Sequence, residues 1–205
     1  PFLCLTVSGG HTQIVQVNAP LDMQVLGSTI DDAAGEAYDK AAKMLGLPYP
    51  GGPLIDQYAQ LGDPTAFQFA KPQIPELNFS FSGLKTSILY TLQAAEKQDP
   101  DFRKNHLNDL CASIQNSIVS ILLQKLEKAV QQTGIKTVAI AGGVSANSEL
   151  RKRLLEKQTK GWQVSIPKMS YCTDNAAMIA MAGSFYLAEG QTVGQEIVAD
   201  PRLKW

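Results

Sequence analysis

The chain has 205 residues, 44% hydrophobic and 18% charged, with 16 glycines and 11 prolines; this composition excludes a disordered tail, a coiled coil, and a collagen-like or disulfide-stapled miniprotein. Against a prior of roughly 150 residues per domain, one large domain is expected, alone or with an insertion or part of a neighbour. Lysine and arginine number 18 against 19 aspartates and glutamates, a net charge of −1, so no global field recruits nucleic acid or anionic membrane, and such a partner needs a local patch.

Phe2 to Val7 and Thr12 to Val17 are short runs rich in Val, Ile and Leu around Ser8-Gly9-Gly10-His11. Paired glycines can take positive φ, so this stretch is expected to be a β-hairpin. A third strand follows near Met23 to Ser28, and Asp31-Asp32 stand as N-caps for a helix from Ala33 to about Leu45. Residues 48–82 are punctuated by prolines, which predicts a short helix near Leu54 to Leu61 in an otherwise irregular insertion over the core. Helices are expected over Ser82 to Ala95 and Phe102 to Thr133, the second with a stripe of Leu110, Ile114, Ile118, Ile121 and Leu122 that should pack on a sheet. Strand Lys136 to Ala141, helix Asn147 to Lys157, strand Gln163 to Ile166 and helix Asp174 to Ala188 then alternate, which implies parallel pairing. The expectation is one α/β domain over 1–190, with an insertion at about 48–82 and a tail over 191–205.

Cys4, Cys111 and Cys172 are an odd number at wide spacing with no C-x-x-C pair, which points to free thiols in a reducing, cytoplasmic compartment. No apolar run approaches the roughly 18 residues that span a bilayer, so no membrane partner is expected. His11 and His106 are too distant in sequence to form a local ligand pair. A metal here would draw mainly on carboxylates or on ligands from outside the chain.

Two glycine-bearing turns could meet phosphate with open backbone amides. One is Val7-Ser8-Gly9-Gly10-His11-Thr12, whose amides and Ser8 hydroxyl could wrap a phosphate or merely turn the chain. The other is Ala141-Gly142-Gly143-Val144-Ser145-Ala146-Asn147, where Asn147 could face a ligand or serve as a plain N-cap. Neither fits the P-loop or the Rossmann pattern. Asp32, Glu36 and Asp39 fall at i, i+4 and i+7 and crowd like charges on one helical face, a cost of a few tenths of a kcal/mol per pair, or about 0.3. Either salt bridges to Lys40 and Lys43 offset this, or Asp39 accepts hydrogen bonds from ligand hydroxyls, with Gly35 allowing close approach and Gly52 and Asp56 bordering the same site. Asp174 is an N-cap or a metal ligand. Glu149 to Lys168 carries six cations against two anions, either a solvated face or a set of phosphate contacts.

Taken together, Val7-Ser8-Gly9-Gly10-His11-Thr12, Ile30 to Lys40, Tyr49-Pro50-Gly51-Gly52-Pro53, Ser80 to Thr86, Ala141 to Asn147 and Cys172-Thr173-Asp174-Asn175 resemble the tRNA N6-adenosine threonylcarbamoyltransferase (TsaD) family, in order and approximate spacing. The resemblance implies an actin-like ATPase fold built from ribonuclease H-like domains, consistent with the β-β-β-α then β-α-β-α order. It implies that Thr6, Val7, Ser8, Gly9, Gly10, Asp39, Gly52, Asp56 and Asn147 contact threonylcarbamoyl-AMP or an ATP-type nucleotide. Asp174 would bind iron, Fe(2+), or another divalent metal together with two histidines of an H-x-x-x-H motif upstream of this segment. The sequence therefore looks like the family's C-terminal portion without most of its N-terminal domain, and is expected to be inactive alone.

The implied reaction passes a threonylcarbamoyl group from its adenylate to N6 of the adenosine beside the anticodon in tRNAs that read codons starting with A. The implied partners are tRNA, a TsaB-like paralogous subunit and a TsaE-like ATPase. Two rivals share the fold: a noncatalytic actin-like scaffold of the same assembly, and a related carbamoyltransferase with another acceptor. A peptidase is unsupported, since neither a nucleophile beside a histidine nor a zinc-protease helix is present.

Overall fold

The computed structural model describes residues 1–72 and 74–198. β1 (Phe2–Val7), β2 (Thr12–Ala19) and β3 (Asp22–Ser28) form an antiparallel meander, the three opening strands that the sequence predicts. β4 (Thr137–Ala141) pairs parallel to the other side of β1, and β5 (Gln163–Ser165) parallel to β4, giving the order β3-β2-β1-β4-β5. Register places Leu5 between Ile14 and Ile140, so one face of the central strands is continuously apolar. That face joins Tyr38 and Ala41 of α1 (Ala34–Met44) and Ile114, Ile118 and Leu122 of α5 (Leu107–Thr133) in the core. The apolar stripe expected to lie on a sheet is therefore buried.

The helix expected over Phe102 to Thr133 is instead two, α4 (Phe102–Asn105) and α5, broken at His106 with φ −116°. The His106 ring lies 4.6 Å from Phe102, and Phe67 meets both rings edge-on. α2 spans Gly51–Ala59 and begins earlier than expected. Pro53 is compatible with its first turn, where the missing N–H would lack a partner anyway. α3 (Ser82–Glu96) and α6 (Ser148–Glu156) fall close to expectation, and α5 ends on Gly134 at φ 73°.

Asp31 and Asp32 do not cap α1. Ala33 holds that position without a side-chain bond, and the Ala34 amide donates to the buried Thr12 Oγ1 at 2.8 Å, because β2 runs beside the helix start. Asp31 instead accepts from the Ser80 hydroxyl and, at 2.8 Å, from the Phe81 amide, while Asp32 accepts from Lys40 at 2.7 Å. The stretch expected as a surface insertion also enters the core through Ile55, Phe69, Leu77, Phe79 and Phe81. Lys125 of α5 clamps it by donating to the carbonyls of Ile74 and Glu76 at 2.7 and 2.9 Å.

The chain divides into two compact units, Pro1–Thr173 and Asp174–Trp205. The first holds all five strands. The second holds α7 (Ala176–Ala188), whose N-cap is Asn175, accepting from the Met178 amide at 3.0 Å, and not Asp174. Residues 199–205 of the expected tail lie outside the described residues. The cysteines are free thiols, and burial pushes that of Cys111 up to about 12. No described helix is long and apolar enough to cross a membrane.

Candidate functional site

β1 and β4 run parallel with Thr6 opposite Ala141, so the turns that follow them emerge side by side at the carboxyl ends of the strands. Ligands of α/β proteins commonly bind at that edge, where neighbouring connections diverge. After β1, the Ser8 hydroxyl oxygen accepts from the amides of Gly10 at 3.2 Å and His11 at 3.0 Å, and the Ser8 amide donates to the His11 carbonyl at 2.8 Å. The Ser8 proton remains available to an acceptor outside the turn. Contrary to expectation, neither Gly9 nor Gly10 has a positive φ. Both are exposed, with open space where a Cβ would stand.

After β4, Gly142 at φ 90° packs so closely on β1 that a Cβ would run into the Val7 carbonyl oxygen. A 3₁₀ turn over Gly143–Ala146 delivers Asn147, whose Oδ1 caps α6 by accepting from the Leu150 amide at 3.0 Å. Its amide nitrogen donates to Gln115 of α5 at 2.6 Å. Asn147 is thus an N-cap, held from below by a buried glutamine. Arg151 fixes the same turn by donating to the carbonyls of Ser145 at 2.7 Å and Pro167 at 2.8 Å.

α1 and α2 form the facing wall. The close approach that Gly35 permits is to the first turn, since its amide donates to the Ser8 carbonyl at 3.1 Å and a Cβ would stand 2.7 Å from that oxygen. Asp39 does not pair with Lys43. Its Oδ1 accepts from the Gly51 and Gly52 amides at 2.8 and 3.3 Å, joining the start of α2 to α1. Lys40 bridges Asp32 and Glu36 at 2.7 and 2.8 Å, which offsets the like-charge repulsion along the helix. Asp56 accepts from the Ser148 amide at 3.1 Å and hydroxyl at 2.6 Å, so α2 is tied to the start of α6 and the walls close into one ring.

Two fully buried hydroxyls in these walls, Tyr38 Oη and Ser145 Oγ, have no hydrogen-bond partner among the described residues. Burial first, then the charges of Asp56 and Glu149, hold the Tyr38 phenol far above its ordinary value, so it stays neutral. Beside Asp39 an open pocket of about 250 Å³ is lined by Lys40, Lys43, Leu47, Tyr49 and Gly51. A larger one of about 380 Å³ lies at the opposite end of β4, around Lys136, Lys160 and Trp162, lined by none of Thr6 to Gly10, Asp39, Gly52, Asp56 and Asn147.

Thr6 to Gly10, Asp39, Gly52, Asp56 and Asn147 are therefore gathered by one set of turns and helix starts. Asp174 is an exposed carboxylate at the head of the second unit. Among the described residues no three of His, Cys, Asp and Glu gather to hold a metal ion, so Asp174 by itself does not fit a metal centre. The basic stretch over Glu149 to Lys168 is largely engaged internally: Arg151 holds the turn, Arg153 donates to Asn116 and Ser120, and Lys157 pairs with Glu127. Sequence reasoning missed Thr12, Gln115 and Arg151. Gln115 carried a signal, a polar residue on the buried face of α5.

An antiparallel three-strand meander extended by two parallel strands, with the candidate site at the strand ends, is a ribonuclease H-like sheet of the actin-like ATPase class. The chain belongs to the TsaD family: the family model described as "tRNA N6-adenosine threonylcarbamoyltransferase" matches residues 1–181. Proteins of that name are 56% identical over the whole chain in Christiangramia forsetii, 54% in Cytophaga hutchinsonii, and 45% over 99% of it in Thermotoga neapolitana. The chain spans 61%, 60% and 61% of those relatives' lengths. Among solved structures, the activator of the 2-hydroxyisocaproyl-CoA dehydratase from Clostridium difficile with bound ADPNP aligns with a TM-score of 0.47 at 12% identity, over 97% of this chain and 65% of its own.

Proposed function

We propose that this chain supplies the nucleotide-holding side of an acyltransferase that moves a threonylcarbamoyl group from threonylcarbamoyl-AMP to N6 of the adenosine next to the anticodon in tRNA. The observation that carries the reading is the closure of the Ser8 turn, the Asp39–Gly51–Gly52 junction and the Asn147 turn into one ring, in a chain whose relatives bear that name. In the reaction the weakly nucleophilic N6 attacks the carbonyl of a mixed carbamic-phosphoric anhydride. A C–N bond forms, the C–O bond to phosphate breaks, N6 loses a proton and AMP leaves.

The chain's part is to bind and orient. The Ser8 proton and the amides around Gly9 and Gly10 take the phosphate, Thr6 and Val7 set the floor of that turn, and Asp39 accepts from the ribose hydroxyls with the oxygen that Gly51 does not use. Asn147 borders the acyl group, and Asp56 keeps α6 in place through Ser148. Fixed donors of this kind stabilise developing negative charge without reorganising. Asp174 offers iron or another divalent metal one carboxylate, too few for a site by itself. Cytoplasmic residence and partnership with a TsaB-like subunit and a TsaE-like ATPase accompany this reading.

The test is tRNA modification by the full-length protein. Asp39→Asn keeps an oxygen for the Gly51 amide and should fold, yet kcat/KM should fall about 10- to 100-fold, the worth of a charged hydrogen bond. Asp39→Ala should lose more. Wild-type modification by Asp39→Ala would refute the assignment.

A further inference from the structure

Among the described residues Tyr49 is the most exposed large aromatic side chain, at 85%, yet it does not stand on a loop tip free of other structure. Pro48 and Pro50 fix φ on either side of it. Gly51, next but one, is buried so tightly against α1 that a Cβ would run into Ala42 and stand 3.3 Å from the Asp39 Cα. The Asp39 carboxylate holds the same junction through the Gly51 amide at 2.8 Å. The backbone that carries Tyr49 is therefore held at the lip of the pocket that contains Asp39, with Leu47 and Pro48 as its apolar lining.

That pocket combines three chemistries. It has an exposed aromatic face, a carboxylate with an oxygen not taken by the Gly51 and Gly52 amides, and in Lys43 an ammonium group that makes no ion pair among the described residues. An aromatic face and a hydroxyl acceptor suit the base and ribose of a nucleotide whose phosphate the Ser8 turn takes, and Lys43 adds a cation beside them. Stacking also explains why the backbone that carries an aromatic side chain left in water is restricted by prolines: less backbone freedom remains to be lost on binding.

We propose that Tyr49 is the stacking platform for the base of the nucleotide held by Asp39, and so the residue that makes this site prefer a nucleotide to its sugar phosphate alone. This rests on the nucleotide-binding reading above and assigns the base its place. A base–aromatic stack is worth about tenfold or more in affinity.

The experiment titrates the chain with AMP by calorimetry and with ribose 5-phosphate by NMR, for wild type, Tyr49→Ala and Tyr49→Phe. The side chain is exposed, so both variants should melt with the wild type. AMP affinity should fall about tenfold in Tyr49→Ala and stay within about twofold in Tyr49→Phe, while ribose 5-phosphate binds all three equally. Equal AMP affinity in wild type and Tyr49→Ala would overturn the platform and leave the nucleotide reading standing, as would an equal loss of ribose 5-phosphate. No AMP binding by the wild type would overturn both.

Discussion

The turn after β1 and the turn after β4 each contain two adjacent glycines, Gly9-Gly10 and Gly142-Gly143, and they lie side by side at the end of the same sheet. Gly142 is demanded by the fold, at φ 90° with its α-carbon packed against the Val7 carbonyl. Gly9 and Gly10 are not: their φ values suit any residue and nothing lies within 4 Å of where a Cβ would be. The same contrast recurs at the start of α2, where a Cβ on Gly51 would meet Ala42 and one on Gly52 would meet only the Tyr38 Cβ at an ordinary 3.7 Å. Glycines that packing explains hold the ring of turns together, whereas those it leaves unexplained line open space, where a ligand can approach the backbone.

Substitution separates the two kinds. Gly142→Ala should cost most, about 3 kcal/mol from backbone strain and the clash, seen as a melting temperature lower by roughly 10 °C. Gly51→Ala should follow with about 1–3 kcal/mol of overpacking. Gly9→Ala and Gly52→Ala should stay within about 0.5 kcal/mol while weakening nucleotide binding. If Gly9→Ala destabilised the chain as much as Gly142→Ala, the distinction would fail.

A smaller effect sharpens the comparison on the side of the fold. Burial alone would raise the Asp31 carboxyl, but hydrogen bonds from Ser80, Phe81 and Ser82 outweigh it and hold the group below its ordinary value of 3.8. A group depressed in the folded state stabilises above its unfolded value and loses that contribution as pH falls through the folded one. Acid titration below about pH 4 should therefore erode stability in the wild type, and less steeply in Asp31→Asn, which should already be weakened at neutral pH. Parallel pH profiles for the two would show that Asp31 contributes nothing to this linkage.

Much of this was legible in the sequence because the periodicities were clean. Runs rich in Val, Ile and Leu on either side of Gly9-Gly10 marked the hairpin, and the stripe Ile114, Ile118 and Leu122 marked the buried face of α5. Long-range pairings were not legible. Asp31-Asp32 stand where N-caps belong, yet Thr12, distant in sequence, takes that role because β2 runs past the helix start. Asp39 likewise appeared to need Lys43 for charge balance, whereas the fold brings it the Gly51 and Gly52 amides. The break at His106 came from packing of Phe67, Phe102 and His106 that no local propensity announces. The cap expected at Asp174 falls one residue later, on Asn175, because pattern alone does not choose between neighbours.

The central claim is that open glycines and the Asp39 junction mark one nucleotide site. Backbone amide shifts of the chain, followed as AMP is added, test it most directly. The account predicts that the largest changes fall together on Ser8 to His11, Gly51 and Gly52, and Gly142 to Asn147, with the region around Lys136, Lys160 and Trp162 unmoved. Changes centred on that opposite pocket, or none at the three turns, would contradict it.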